Sequence, residues 1–180
     1  MNINQHDSSQ YENVKGNLSS GKVKELSIES GNYDWLGDLS INDSITINFK
    51  DKSKISNGQG YSSLFNFQCQ YDNNDNIKVE VNGYKDSDDK YGVKIYGFQR
   101  AIHADFLKSF TMNNFEFSDE DKRVFEALYI SNVLNININE IKFSDGSNES
   151  QASGIRIDTY IDNIESISYN INISNCMFDR

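Results

Sequence analysis

Histidine and cysteine, the residues most often used for acid–base and metal chemistry, are scarce in this chain. It contains two histidines. His6 lies in a polar stretch, where we expect a solvated side chain, and His103 lies between Ile102 and Ala104. We interpret His103 as a structural residue rather than a general base. Neither histidine has a neighbour at metal-ligand spacing, so we predict no metal site.

A run of aspartate and asparagine at 72–76 has the spacing with which an EF-hand calcium loop begins. The sixth and twelfth positions of that loop would be Ile77 and Gly83, where the motif needs a glycine and a bidentate glutamate. We therefore interpret the run as a turn.

Motifs that mark common enzyme classes are also missing from the sequence. We find no GxSxG, no phosphate-binding loop and no GxGxxG, and no carboxylate pair stands out among the 27 acidic residues. The sequence therefore predicts no catalytic residue, no cofactor and a protein that is not an enzyme.

The formal net charge of the chain is −10 and its pI is near 4.6. Because a phosphate backbone is held by lysine and arginine, we predict no nucleic-acid partner. An acidic surface is instead suited to a basic protein partner, and it is repelled by anionic membranes.

Features that would direct the chain to a membrane or out of the cell are not evident. The amino-terminal residues lack the basic and apolar regions of a signal peptide, and no window approaches the roughly 18 apolar residues of a membrane span. Cys69 and Cys176 are far apart and outside any CxxC motif, which predicts free thiols in a reducing compartment. We therefore predict a cytoplasmic protein with no membrane partner.

Taken together, these features predict a non-catalytic acidic binding protein. The most specific hypothesis is an immunity protein or antitoxin that covers the nucleic-acid-binding surface of a basic nuclease toxin, because an acidic inhibitor would be steered to such a surface. The residues predicted to contact this partner are Asp86, Asp88, Asp89, Asp119, Glu120 and Trp35.

Trp35 allows two interpretations. A loop tryptophan can anchor an interface or stack on a sugar, and it can equally fill the core beneath a loop, which we favour. The alternative function is a carbohydrate-binding or adhesive β-sandwich module with Tyr33, Trp35 and Tyr61 as stacking platforms.

Apolar and polar residues alternate in several short segments, the pattern of strands with one buried face. The clearest segment is 39–49, in which Ile45, Ile47 and Phe49 alternate with polar residues. Three of the segments are joined by short polar turns, which predicts a β-meander with antiparallel pairing. Similar alternation occurs at 22–28, 64–71, 77–81, 93–98, 136–143, 155–157 and 167–173.

One segment, 118–134, has the spacing of an amphipathic helix, with Ser118 as its N-cap. Residues 99–117 fit either a helix or a strand. We therefore predict an α+β fold, a predominantly antiparallel meander or sandwich-like sheet with one main helix packed on it. Residues 1–20 are predicted to be a polar, mobile lead-in or a docked helix, followed by a single globular domain at 21–180.

Overall fold

The protein is described here by a computed structural model, which covers residues 2–3, 8–35, 38–57, 62–69, 76–87, 91–118, 124, 126–144, 153–159 and 169–179. These residues form one helix and a series of short strands. The elements are α1 (Ser8–Ser19), β1 (Asn2–Ile3), β2 (Glu25–Ile28), β3 (Gly31–Asp34), β4 (Leu39–Ile41), β5 (Ile45–Phe49), β6 (Ser53–Ser56), β7 (Phe65–Gln68), β8 (Lys78–Asn82), β9 (Val93–Tyr96), β10 (Arg100–Asp105), β11 (Ser109–Phe117), β12 (Glu126–Ser131), β13 (Asn135–Ser144), β14 (Ser153–Asp158), β15 (Asn170–Ser174) and β16 (Met177–Asp179).

Every strand pair in the described part of the chain is parallel. The smaller sheet has the order β14-β12-β10-β7-β4. The larger sheet has the order β1-β2-β5-β8-β11-β9-β6-β3, and β13 joins β11 to β15 and β16. A strand therefore pairs with its equivalents in the preceding and following turns of the chain. This is the winding of a parallel β-solenoid.

Each turn of the solenoid crosses three faces, because the larger sheet bends at β11 and β13. The first half of β11 pairs with β8 and its second half pairs with β9. We call the stack of β2, β5, β8 and β15 with the first halves of β11 and β13 the first face. The stack of β3, β6, β9 and β16 with the second halves is the second face. The smaller sheet is the third face.

Single residues with left-handed backbone turn the chain at the corners. Asn114 inside β11 and Glu140 inside β13 have φ of 63° and 54°, and both lie between the first and second faces. Phe106 and Asn132, each with φ of 53°, lie between the third and first faces. Asparagine tolerates this conformation better than most residues. The amide of Phe106 donates to the Ser131 carbonyl at 3.2 Å.

Inward-facing side chains from the three faces form one continuous core. On the third face Phe65 is paired with Ile102, which is paired with Leu128, and all three are fully buried. The burial of one such side chain contributes about 1.5–3 kcal/mol, so the stacked rows dominate the stability of the solenoid. Helix α1 lies against β4, and its Val14 and Leu18 belong to the same core.

The prediction of antiparallel pairing is wrong. Ile45, Ile47 and Phe49 of β5 are buried and alternate with half-buried residues. This alternation is the same whichever way the neighbouring strand runs. The turns taken for hairpins join different faces of the solenoid. The predicted segments overlap β2, β4, β5, β7, β8, β9, β13, β14 and β15, whereas β3, β6 and β16 were not predicted. Residues 100–105 and 109–117 are strands.

The predicted helix at 118–134 is also wrong. Residues 126–131 form β12, which is paired with β10 on one side and with β14 on the other. Leu128 and Ile130 point into the core, while Tyr129 is buried on the outer side, so the segment is apolar on both faces and resembles a helical stripe. Ser118 lies at the end of β11, and its amide donates to the Ile95 carbonyl at 3.0 Å. Residues 119–123 and 125 lie outside the described part of the chain.

Among the described residues, no helix is both long enough and apolar enough to cross a membrane.

Candidate functional site

The outer side of the third face carries a group of charged and aromatic side chains that contact one another. The parallel register places equivalent residues of successive strands side by side, so that residues distant in sequence become neighbours. One outward row contains Ser40, Asn66, His103, Tyr129 and Arg156, and the next contains Gln68, Asp105, Ser131 and Asp158.

Tyr129 is held at the centre of this group by two arginines. The guanidinium carbon of Arg100 lies 4.1 Å from the centre of the Tyr129 ring, and that of Arg156 lies 5.3 Å from it. Both contacts are cation–π interactions. Glu126 accepts from Arg100 Nε at 2.7 Å and from Arg156 Nη1 at 3.3 Å. The four side chains therefore fix one another across three strands.

His103 lies beside this arrangement. Its ring centre is 5.0 Å from that of Tyr129, and its Nδ1 contacts Gln68 Nε2 at 3.3 Å. Burial is the main reason why the pKa of His103 lies below its ordinary value, and the positive charge of Arg100 lowers this pKa further. Asp105 and Glu126 oppose the shift without cancelling it. The imidazole is therefore neutral at pH 7.

Asp105 offers a carboxylate oxygen at the same surface. Its Oδ1 accepts from Ser131 Oγ at 2.6 Å and from Asn132 Nδ2 at 3.1 Å. Its Oδ2 has no hydrogen-bond partner among the described residues. Two neighbours therefore orient the carboxylate and leave one oxygen available to a ligand. We call Gln68, Arg100, His103, Asp105, Glu126, Tyr129 and Arg156 the third-face cluster.

A neutral imidazole, an oriented carboxylate and fixed arginines can form directional hydrogen bonds with another molecule. Tyrosine and arginine are also the residues that most often dominate binding energy at interfaces. In the described part of the chain no group of three or more His, Cys, Asp or Glu side chains is arranged to hold a metal ion.

Cys69, the cysteine next to the cluster, is expected to be unreactive at neutral pH. Cys69 and Cys176 are both free thiols. Burial, followed by the negative charges of Asp43 and Asp105, raises the pKa of Cys69 to about 11. At pH 7 this thiol is protonated and therefore a poor nucleophile.

Of the acidic residues predicted to contact a partner, only Asp86 lies in the described part of the chain. Asp86 lies between β8 and β9 and is paired with Lys52, whose Nζ is 2.6 Å from Asp86 Oδ2. The other four predicted carboxylates, Asp88, Asp89, Asp119 and Glu120, lie outside the described residues.

Two of the three aromatic residues predicted as contact or stacking groups, Tyr33 and Trp35, are in the core. Trp35 is 3% exposed and meets the Phe65 ring edge-on, with ring centres 5.8 Å apart. Tyr33 is 4% exposed, and its hydroxyl donates to the Glu29 carbonyl at 2.6 Å. Trp35 therefore fills the core, as the favoured interpretation predicted, and neither ring can stack on a sugar. Tyr61 lies outside the described residues.

Sequence reasoning missed the third-face cluster. Arg100, Tyr129 and Arg156 are separated by more than twenty residues at each step, and only the register brings them together. The available signal was a repeat, since alternating apolar residues followed by asparagine recur at 45–48, 79–82, 110–113 and 136–139.

Comparison of the chain with protein-family models, with curated proteins and with solved structures gave no match.

Proposed function

We propose that this chain is a non-catalytic binding protein that holds a basic protein partner on the outer side of its third face. The most specific form of the proposal is a cytoplasmic immunity protein or antitoxin whose partner is a nuclease-type toxin. The packing of Arg100 and Arg156 on the Tyr129 ring is the observation that carries the proposal. It gives the surface a rigid centre of the kind on which interfaces depend.

The rigidity of the third-face cluster favours binding. A side chain that is already fixed loses little conformational entropy when a partner arrives. Arg100 and Arg156 are held by Tyr129 and Glu126, and Asp105 is held by Ser131. The surface is therefore organised before any partner is bound.

The charge of the chain favours a basic partner. The net charge is −10, with 27 acidic against 17 basic residues. Long-range attraction of this sign accelerates association with a basic protein, while the open oxygen of Asp105 can accept a hydrogen bond from its lysine or arginine.

Site-specific photo-crosslinking tests this proposal. Benzoylphenylalanine would replace Gln68, an exposed residue of the third face, in the native host. The matched control would carry it at Lys54, an exposed residue of the second face. We expect a discrete adduct from position 68, and not from position 54, with a protein whose pI is above about 9.

The purified partner then tests the toxin hypothesis. We expect one equivalent of the wild-type chain to abolish cleavage of RNA or DNA by the partner. Asp105→Asn should weaken the complex about tenfold or more, because a charged contact is lost. Equal adducts from both positions, or an acidic partner, would contradict the proposed surface, and a basic partner without nuclease activity would contradict the toxin hypothesis.

A further inference from the structure

A groove of about 340 Å³ runs across the outer side of the first face, away from the third-face cluster. Its floor is formed by three neighbouring strands, β5, β8 and β11. The side chains of Thr46 on β5 and of Ser109 and Thr111 on β11 are short, whereas Lys78 and Glu80 on β8 are long. This difference in length leaves the space of the groove. The polar residues that line it are Lys24, Ser44, Thr46, Lys78, Glu80, Ser109 and Thr111.

Several polar groups in the groove have no partner within the described chain. The hydroxyls of Thr46, Ser109 and Thr111 make no hydrogen bond to another described residue, and neither does the ammonium group of Lys78. Glu80 accepts one hydrogen bond, from Asn82 Nδ2 at 2.9 Å. The groove therefore offers hydroxyl donors and acceptors, one ammonium donor and one carboxylate acceptor.

The groove continues as a polar track along the solenoid. The register that aligns Lys78 with Ser109 continues to Asn135 and Asn170. The neighbouring row runs from Thr46 through Glu80 and Thr111 to Asn137 and Asn172. Asn172 Nδ2 donates to Asn137 Oδ1 at 3.1 Å. Five strands at a spacing of about 4.8 Å make the track about 19 Å long.

We propose that this groove and track bind a linear, uncharged oligosaccharide that lies across the strands. Sugars present hydroxyls that both donate and accept, which matches the threonine, serine and asparagine side chains of the rows. The charges favour an uncharged ligand, because Lys78 is accompanied by Glu80 and Lys24 is paired with Asp43. The length of the track favours a chain of several sugars over a single one.

This binding site is independent of the proposed protein-binding surface. It uses none of the residues of the third-face cluster. It also uses neither Tyr33 nor Trp35, which are buried.

Isothermal titration with defined sugars tests the proposal. The probes are cellohexaose, xylohexaose, chitohexaose and maltohexaose, each with its disaccharide, and hexagalacturonate as the anionic counterpart. We expect at least one uncharged hexasaccharide to bind, with an affinity at least about tenfold above that of its disaccharide, because the longer chain contacts more strands. If no uncharged hexasaccharide binds, or if only hexagalacturonate binds, the proposal is overturned.

Variants place the binding in the groove. Thr46→Val combined with Thr111→Val removes two hydroxyls from the surface, and we expect binding to weaken about tenfold. Lys78→Gln provides a second variant that should also weaken binding. Thr159→Val, an exposed threonine beyond β14, is the matched control and should bind like the wild type. Unchanged affinity in both groove variants would overturn the assignment.

Discussion

At the scale of single residues, the side chains that organise the third face differ from the acidic residues expected to matter. His103 and Asp105 lie two residues apart on β10, so both side chains face outward. Their neighbours on β7 and β12 set the orientation of each, through Gln68 for His103 and Ser131 for Asp105. Asp86 was predicted because it lies in a loop rich in acidic residues. The charge of a loop does not indicate which side chains are oriented by residues on neighbouring strands.

The pKa of His103 predicts how stability responds to acid. Because this pKa is lowered in the folded chain, the unfolded chain binds more protons as the pH falls below the ordinary value near 6.5. The contribution of His103 to stability is therefore complete above that value and is lost as the pH falls toward the lowered pKa. We expect the free energy of unfolding to fall between pH 7.5 and 5.5, and to fall less steeply in His103→Gln.

Urea unfolding at pH 7.5, 6.5 and 5.5 measures this difference. His6→Gln, which removes the other histidine of the chain, is the control and should keep the wild-type slope. An equal or steeper slope in His103→Gln would show that protonation of His103 does not oppose folding.

At the scale of elements, the solenoid depends on close approach of the backbone at its corners. Gly83 follows β8, and its amide donates to the Asn113 carbonyl of β11 at 2.8 Å. A Cβ added at Gly83 would lie 2.0 Å from the carbonyl oxygen of Asn114, a backbone atom that cannot rotate away. In helix α1, a Cβ added at Gly16 meets nothing within 4 Å.

The two glycines should therefore respond in opposite ways to the same substitution. We expect Gly83→Ala to lower the free energy of unfolding by about 2–3 kcal/mol or more, because the backbone must move. Gly16→Ala should raise it by up to about 1 kcal/mol, because alanine favours the helix. Denaturant midpoints measure both changes, and a tolerated Gly83→Ala would show that β8 and β11 do not meet as described.

Several strand positions could be predicted from sequence because burial alternates along strands such as β5 and β8 whichever way the neighbouring strand runs. Val79 and Val81 of β8 point inward, and so do Ile136 and Ile138 of β13. The direction of pairing could not be predicted, because it depends on where the chain goes after each corner. The helix prediction failed at β12, where Arg100 and Arg156 cover Tyr129 on the outer side. Buried residues therefore face both sides of β12, and polar and apolar residues do not alternate along it.

At the scale of the whole molecule, both proposed binding surfaces depend on parallel winding. The third-face cluster and the first-face groove each consist of residues from successive turns, aligned by register alone. An antiparallel meander would scatter the same residues over unrelated positions. The candidate sites could therefore not be predicted without recognising that the repeat at 45–48, 79–82, 110–113 and 136–139 marks successive turns of a solenoid.

A distance between spin labels at positions 25 and 172 tests this winding most directly. Glu25 and Asn172 are exposed and lie in one outward row, which runs through Thr46, Glu80, Thr111 and Asn137. Five spacings of about 4.8 Å place the two backbones about 24 Å apart. We expect double electron–electron resonance to show one narrow distribution near that distance. A broad distribution, or one centred beyond about 40 Å, would contradict the parallel solenoid and with it both binding surfaces.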